Sequence, residues 1–113
     1  MSKHSEKDPT GRSAKEAGSK LDAGKNRLGL VFNGFYKALY AVGEVGTFGA
    51  NKYTDNGWKE VPKGFERYTD ALYRHLSMEN VEFKDKESNL YHAAHAAWNA
   101  LARLELLLEE MEN

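Results

Sequence analysis

Ser88, His92, His95 and Asn99 follow one another at steps of four, three and four. At about 100° per residue they share one stripe of a helix. Two imidazoles, an amide and a hydroxyl on one line suit a phosphate, a base edge, or a metal ion with its supporting shell. A single buried histidine is more often a hydrogen-bonded core residue. His75, His92 and His95 each have that reading when taken alone. A zinc site from His75, His92, His95 and Asp85 is chemically possible, though the spacing matches no known zinc signature.

Acids cluster just ahead of the stripe, at Glu79, Glu82, Asp85 and Glu87. Hard divalent cations prefer carboxylates, and a triphosphate-bound Mg²⁺ needs one or two from the protein. Glu82 and Asp85, three apart, fall on one side of a helical turn. The plainer reading is a solvated acidic loop at the favourable end of a helix dipole. Further upstream, Lys52 is a phosphate-capable cation, and Tyr53 and Trp58 can stack on a base or simply seal a small core. Arg74 can clamp a phosphate bidentately or pair with Asp70 four residues before it.

Three helical segments must position these groups. Val31, Phe35, Ala38, Val42 and Val45 predict a first helix over about 30–48, and Gly43, Gly46 and Gly49 in it suggest close approach by a neighbour or a ligand. Residues 51–64 carry turn signals and read as a loop. A second helix is expected from Pro62 to Met78, its inner face made of Phe65, Tyr68, Leu72 and Leu76. The third should begin near Ser88, a good N-cap, and run to Met111. Leu90, Ala94, Ala97, Leu101, Leu104, Leu108 and Met111 form a heptad seam along it, opposite the polar stripe. The fold expected is all-α: a small helical bundle of three main helices, completed by assembly into a homodimer or homotetramer.

The 113 residues hold 16 Lys+Arg, 17 Asp+Glu and no Cys. The absence of cysteine excludes disulfides, thiolate metal sites and a Cys nucleophile. A net charge of −1 argues against specific nucleic-acid binding. No apolar run is long enough for a membrane span and no signal-peptide core opens the chain, so a cytoplasmic location is expected. Residues 1–19 are polar and read as a mobile tail ahead of a domain over 20–113. Lys20, Lys25 and Arg27 lie close enough to that domain to reach an anionic ligand.

The motifs together carry a resemblance. Phe48-Gly49-Ala50-Asn51-Lys52-Tyr53, Gly57-Trp58, Arg74-His75, Glu82-x-x-Asp85-x-Glu87-Ser88 and His92-x-x-His95-Ala96-Ala97-Trp98-Asn99 are similar to a mostly bacteriophage family. It is the dATP/dGTP diphosphohydrolase N-terminal domain, grouped with the MazG-like all-α nucleotide pyrophosphatases. The resemblance implies a helical oligomer in the host cytoplasm that converts a purine dNTP to dNMP and pyrophosphate with Mg²⁺ or Mn²⁺. It implies Glu82 and Asp85 as metal ligands, and Asp85 and His95 as catalytic residues. Lys52, Tyr53, Trp58, Arg74, His75, His92, His95 and Asn99 would bind substrate. Of the two carboxylate pairs usual in MazG-like enzymes, only Glu82 and Asp85 are present; the first helix offers the single acid Glu44. The alternative reading is a phage protein that binds or sequesters a nucleotide without hydrolysing it.

Overall fold

A computed structural model describes residues 7–112 and contains helices but no strands among them. The chain divides at Gly34/Phe35 into two compact units. In the first, local polar bonding rather than an apolar core organises the backbone. The Asp8 carboxylate accepts from the backbone N–H of Thr10, Arg12 and Lys20 and from the Thr10 hydroxyl. That satisfies a carboxylate which is otherwise buried. Helix α1, Gly29–Phe32, closes this unit, and Lys20, Lys25 and Arg27 lie within it.

The second unit carries α2 (Tyr36–Lys52), a 3₁₀ turn (Gly57–Glu60), α3 (Gly64–Met78) and α4 (His92–Glu112). The expected first helix over 30–48 is therefore two pieces, broken at Asn33-Gly34-Phe35, and the second piece runs on to Lys52. Its buried side follows the expectation only at its C-terminal end: Val45 is buried and Val42 half-buried, whereas Val31, Phe35 and Ala38 are exposed and Phe48, outside the expected face, is half-buried. Helix α3 starts at Gly64, two residues later than expected. Gly64 is buried because a Cβ there would stand 3.0 Å from Leu106 and 3.3 Å from Tyr68. Of the expected inner face Tyr68 and Leu72 turn inward as expected, Phe65 and Leu76 are exposed, and His75 joins the inward side.

Helix α4 packs mainly on α3 and secondarily on α2. Its most buried positions are His92, Ala94, His95, Ala96, Asn99 and Ala102. The polar stripe thus faces inward, as expected. The heptad seam packs within the chain only at its start, where Ala94 is buried and Leu90 half-buried; farther on, Leu101, Leu104 and Leu108 are each 50% exposed and Met111 76%. Alanines at 96 and 102 let α4 come close to its neighbours, so that imidazoles rather than leucines fill the contact.

Of the three helical glycines in α2, Gly46 meets a neighbour: its Cβ would sit 3.4 Å from the Trp98 indole nitrogen. A Cβ at Gly43 meets nothing within 4 Å. Gly43→Ala should therefore raise stability by about 0.5–1 kcal/mol, the ordinary helix-interior difference. A thermal or urea midpoint below the parent's would show that Gly43 is required for more than helix geometry.

Candidate functional site

The loop between α3 and α4 is tied into one shape by its backbone. His92 N–H donates to the Phe83 carbonyl at 2.8 Å and Asp85 N–H to the Leu90 carbonyl at 2.8 Å, with an isolated antiparallel bridge between Lys84 and Tyr91. Asn89 takes the left-handed conformation (φ 59°) that turns the chain back. Ser88 is consequently not the N-cap of α4, which begins four residues later at His92. Its N–H and its hydroxyl both donate to Asp85 Oδ2 at 2.9 Å, an Asx turn inside the loop. The expected Glu82–Asp85 helical turn is absent: both acids stand on this looped segment.

Two short polar chains converge there. In the first, His95 Nε2 lies 2.7 Å from Ser88 Oγ, whose own proton is committed to Asp85. His95 must then donate from Nε2, which leaves Ser88 without a base to activate it as a nucleophile. In the second, His92 Nε2 lies 3.3 Å from Glu82 Oε1 and His92 Nδ1 lies 2.9 Å from His75 Nδ1. Since the carboxylate can only accept, His92 donates from Nε2 and accepts at Nδ1 from His75. The chains meet where His75 stacks on His95, centroids 4.4 Å apart and planes within 9°, while Phe48 of α2 sets its edge against His95.

Electrostatics follow from this crowding. Burial, with His95 and His92 close by, pushes His75 down to about 4, so it is neutral at physiological pH. Burial likewise lowers His95, against the opposing pull of Asp85. Asp85 stays below the ordinary carboxylate range because the Ser88 N–H and hydroxyl bonds, helped by the neighbouring histidines, outweigh its partial burial. Neutral imidazoles beside an ionised carboxylate are a cation-accepting set. His75, Asp85 and His92 each offer an atom within 4.8 Å of the others. This is three of the four residues weighed for zinc.

A cavity of about 1060 Å³ lies between α2, the 3₁₀ turn, α3 and α4. Tyr53, Trp58, Arg74 and Asn99 line it, as does Gly43. Trp58, Tyr68 and Trp98 pack edge to face with centroids 5.5–6.1 Å apart, and Tyr68 Oη donates to the Trp58 carbonyl at 2.6 Å. None of His75, Glu82, Asp85, Ser88, His92 and His95 lines this cavity; of the residues that do, Arg74 precedes His75 on α3 and the Asn99 amide donates to the His95 backbone carbonyl at 2.8 Å. Lys52 stands apart from the cavity wall, paired with Glu87 at 2.9 Å and lying over the Tyr53 ring. Arg67 and Trp98 also line the cavity. Sequence reasoning missed both as site residues: Trp98 entered only within the resembling string, and Arg67 carried no signal beyond its charge.

Residues 15–113 match the family described as dATP/dGTP diphosphohydrolase, N-terminal. A dATP/dGTP diphosphohydrolase of Salmonella phage PMBT28 is 38% identical over 81 residues, which make up 71% of this chain and 26% of that protein. The chain thus spans about a quarter of the length of that relative. No solved structure matches.

Proposed function

The chain belongs to the dATP/dGTP diphosphohydrolase N-terminal family, and from that premise we propose that it binds a purine deoxynucleoside triphosphate and takes part in splitting it to the monophosphate and pyrophosphate. The observation that carries this reading is an aromatic, arginine-bearing cavity whose wall residues Arg74 and Asn99 are, respectively, next in the chain to His75 and bonded to the His95 backbone. Trp58, Tyr53 and Trp98 offer faces on which a purine can stack. Arg67 and Arg74 on the same wall offer guanidinium forks for phosphate oxygens. Asn99, with its amide nitrogen committed to His95, borders the cavity where base or sugar would lie.

The divalent cation of that reaction, Mg²⁺ or Mn²⁺, is placed at the cluster where His75, His92 and Asp85 converge and Glu82 contacts His92; the two imidazoles suit Mn²⁺ better than Mg²⁺. When bound, such an ion supplies positive charge against the phosphates and polarises water. His95 keeps its place through Ser88 and holds the His75 ring flat against it. No described helix is long and apolar enough to cross a membrane, and the setting proposed is the cytoplasm of a phage-infected host. Assembly into a homodimer or homotetramer through the exposed α4 seam belongs to the same proposal.

Incubating the protein with dATP or dGTP and Mg²⁺ or Mn²⁺, then separating products by chromatography, tests it. The expected products are dAMP or dGMP and pyrophosphate, with turnover reduced about a hundredfold or more in Asp85→Asn. A second reading, nucleotide binding without hydrolysis, is favoured by the reduced carboxylate set, since α2 offers the single acid Glu44. Unchanged nucleotide recovered from a tight complex would establish that reading. Neither binding nor turnover would overturn both.

A further inference from the structure

We propose that His75, His92 and Asp85 form a nitrogen-rich site for a first-row transition-metal ion, with Glu82 as the positioning acid that holds His92, rather than an all-oxygen Mg²⁺ site. This inference deepens the reading above and rests on its placing of a cation at the inner cluster. It divides the two acids, expected together as metal ligands, into one ligand and one supporting group.

The geometry carries the assignment. The Nδ1 atoms of His75 and His92 face each other at 2.9 Å. Two nitrogens on one ion, each bonded at about 2.0–2.1 Å, stand about 2.9 Å apart at an octahedral angle and about 3.3 Å at a tetrahedral one, so the rings need to part by a few tenths of an ångström at most. His92 is 3% exposed, and its far nitrogen is fixed by Glu82 at 3.3 Å. A ligating histidine commonly donates its other N–H to a carboxylate in this way, which sets its tautomer and ring direction. Asp85 completes the set from the opposing loop. Ser88 occupies its Oδ2, and among the described residues no hydrogen bond is made to Oδ1, which is left for a cation.

Proton placement also agrees. His92 already presents an unprotonated Nδ1, while His75 must transfer its proton from Nδ1 to Nε2, a change of tautomer and not of charge. Imidazole nitrogen suits Zn²⁺, Co²⁺, Ni²⁺ and, more weakly, Mn²⁺, whereas Mg²⁺ keeps to oxygen. His95 is held outside the set by Ser88.

The test titrates the metal-stripped full chain with Zn²⁺, Co²⁺ and Mg²⁺ by calorimetry, following the Co²⁺ visible absorption in parallel. Roughly one Zn²⁺ or Co²⁺ per chain is expected, with Mg²⁺ in about thousandfold excess failing to displace it. His75→Gln and His92→Gln should each weaken Zn²⁺ binding by about a hundredfold or more, and Glu82→Gln by about ten- to a hundredfold with the stoichiometry kept. Zn²⁺ affinity unchanged in both glutamine variants, or Mg²⁺ competing at equal concentration, would overturn the proposal. Should a variant lose its helical circular dichroism, histidine ¹⁵N spectra of the parent protein decide instead. Added Zn²⁺ should shift Nδ1 of His75 and His92 and leave His95 Nε2 bonded to Ser88. Unmoved His75 and His92 signals would overturn it. Zn²⁺ bound by these residues without nucleotide turnover leaves this inference standing and removes the hydrolytic reading. Turnover on Mg²⁺ with no Zn²⁺ site does the reverse.

Discussion

His95→Ala should destabilise the unliganded protein by about 2–4 kcal/mol, measured as a fall in the urea midpoint at unchanged slope. Two costs combine. Removing the imidazole takes away the acceptor's partner at Ser88 Oγ and the ring on which His75 lies. A lost buried polar partner alone costs about 1–3 kcal/mol. His95 is also only 9% exposed, and Phe48 of α2 sets its ring edge against it. The space left adds a cavity term of similar size. His95 is thus bonded within the protein before any ligand arrives, and its first duty is to position His75. Transition-metal affinity should fall with it, because His75 would lose the surface that fixes its ring. A midpoint within about 0.5 kcal/mol of the parent would mean that the stack and the serine bond contribute little, and that solvent or ligand is the true partner of this face.

The polar stripe was legible in the sequence because three- and four-residue steps place side chains on one line whatever lies opposite. Its surroundings were less so. Apolar periodicity made Leu101, Leu104 and Leu108 look like core, yet the core of α4 is Ala94, Ala96 and Ala102 beside two histidines and an asparagine. Hydrophobicity ranks leucine inside, but close helix approach needs small residues, and the clustered alanines were the signal for it. Ser88 misled through its propensity as an N-cap. The Asp85–Ser88 bond competes for the same hydroxyl, and Asp-Lys-Glu-Ser-Asn with a left-handed Asn89 is turn chemistry rather than a helix start. The break near Gly34 escaped notice because Val31 and Phe35 continue the period of α2 while lying exposed. Pairing of His75 with His92 could not be read at all, since it depends on how α3 and α4 cross after a looped connection.

The seam that finds no partner within the chain carries the second large effect. Leu101, Leu104, Leu108 and Met111 lie on one side of α4, each at least half exposed, with Leu107 at 43% beside them. Next to them a groove of about 480 Å³ runs between α2 and α4, lined by Leu39, Val42, Trp98 and Leu104. A continuous apolar stripe at heptad spacing beside an apolar groove is the surface a second helix fills by knobs-into-holes packing. Burying leucines that are now half wet contributes about 1 kcal/mol each, and a twofold pair counts each of them twice; with Met111, Leu107 and the groove residues added, this works against the cost of association. Light scattering at micromolar concentration should therefore give a mass of about two or four chains. Leu104→Glu should shift the dissociation constant upward by about a hundredfold or more, since an unpaired carboxylate at the centre of the seam costs several kcal/mol. The same substitution on a monomer would meet water and leave the helical signal intact. A parent protein that scatters as a single chain would sink the assembly, and the stripe would then have to be covered by something other than a second copy.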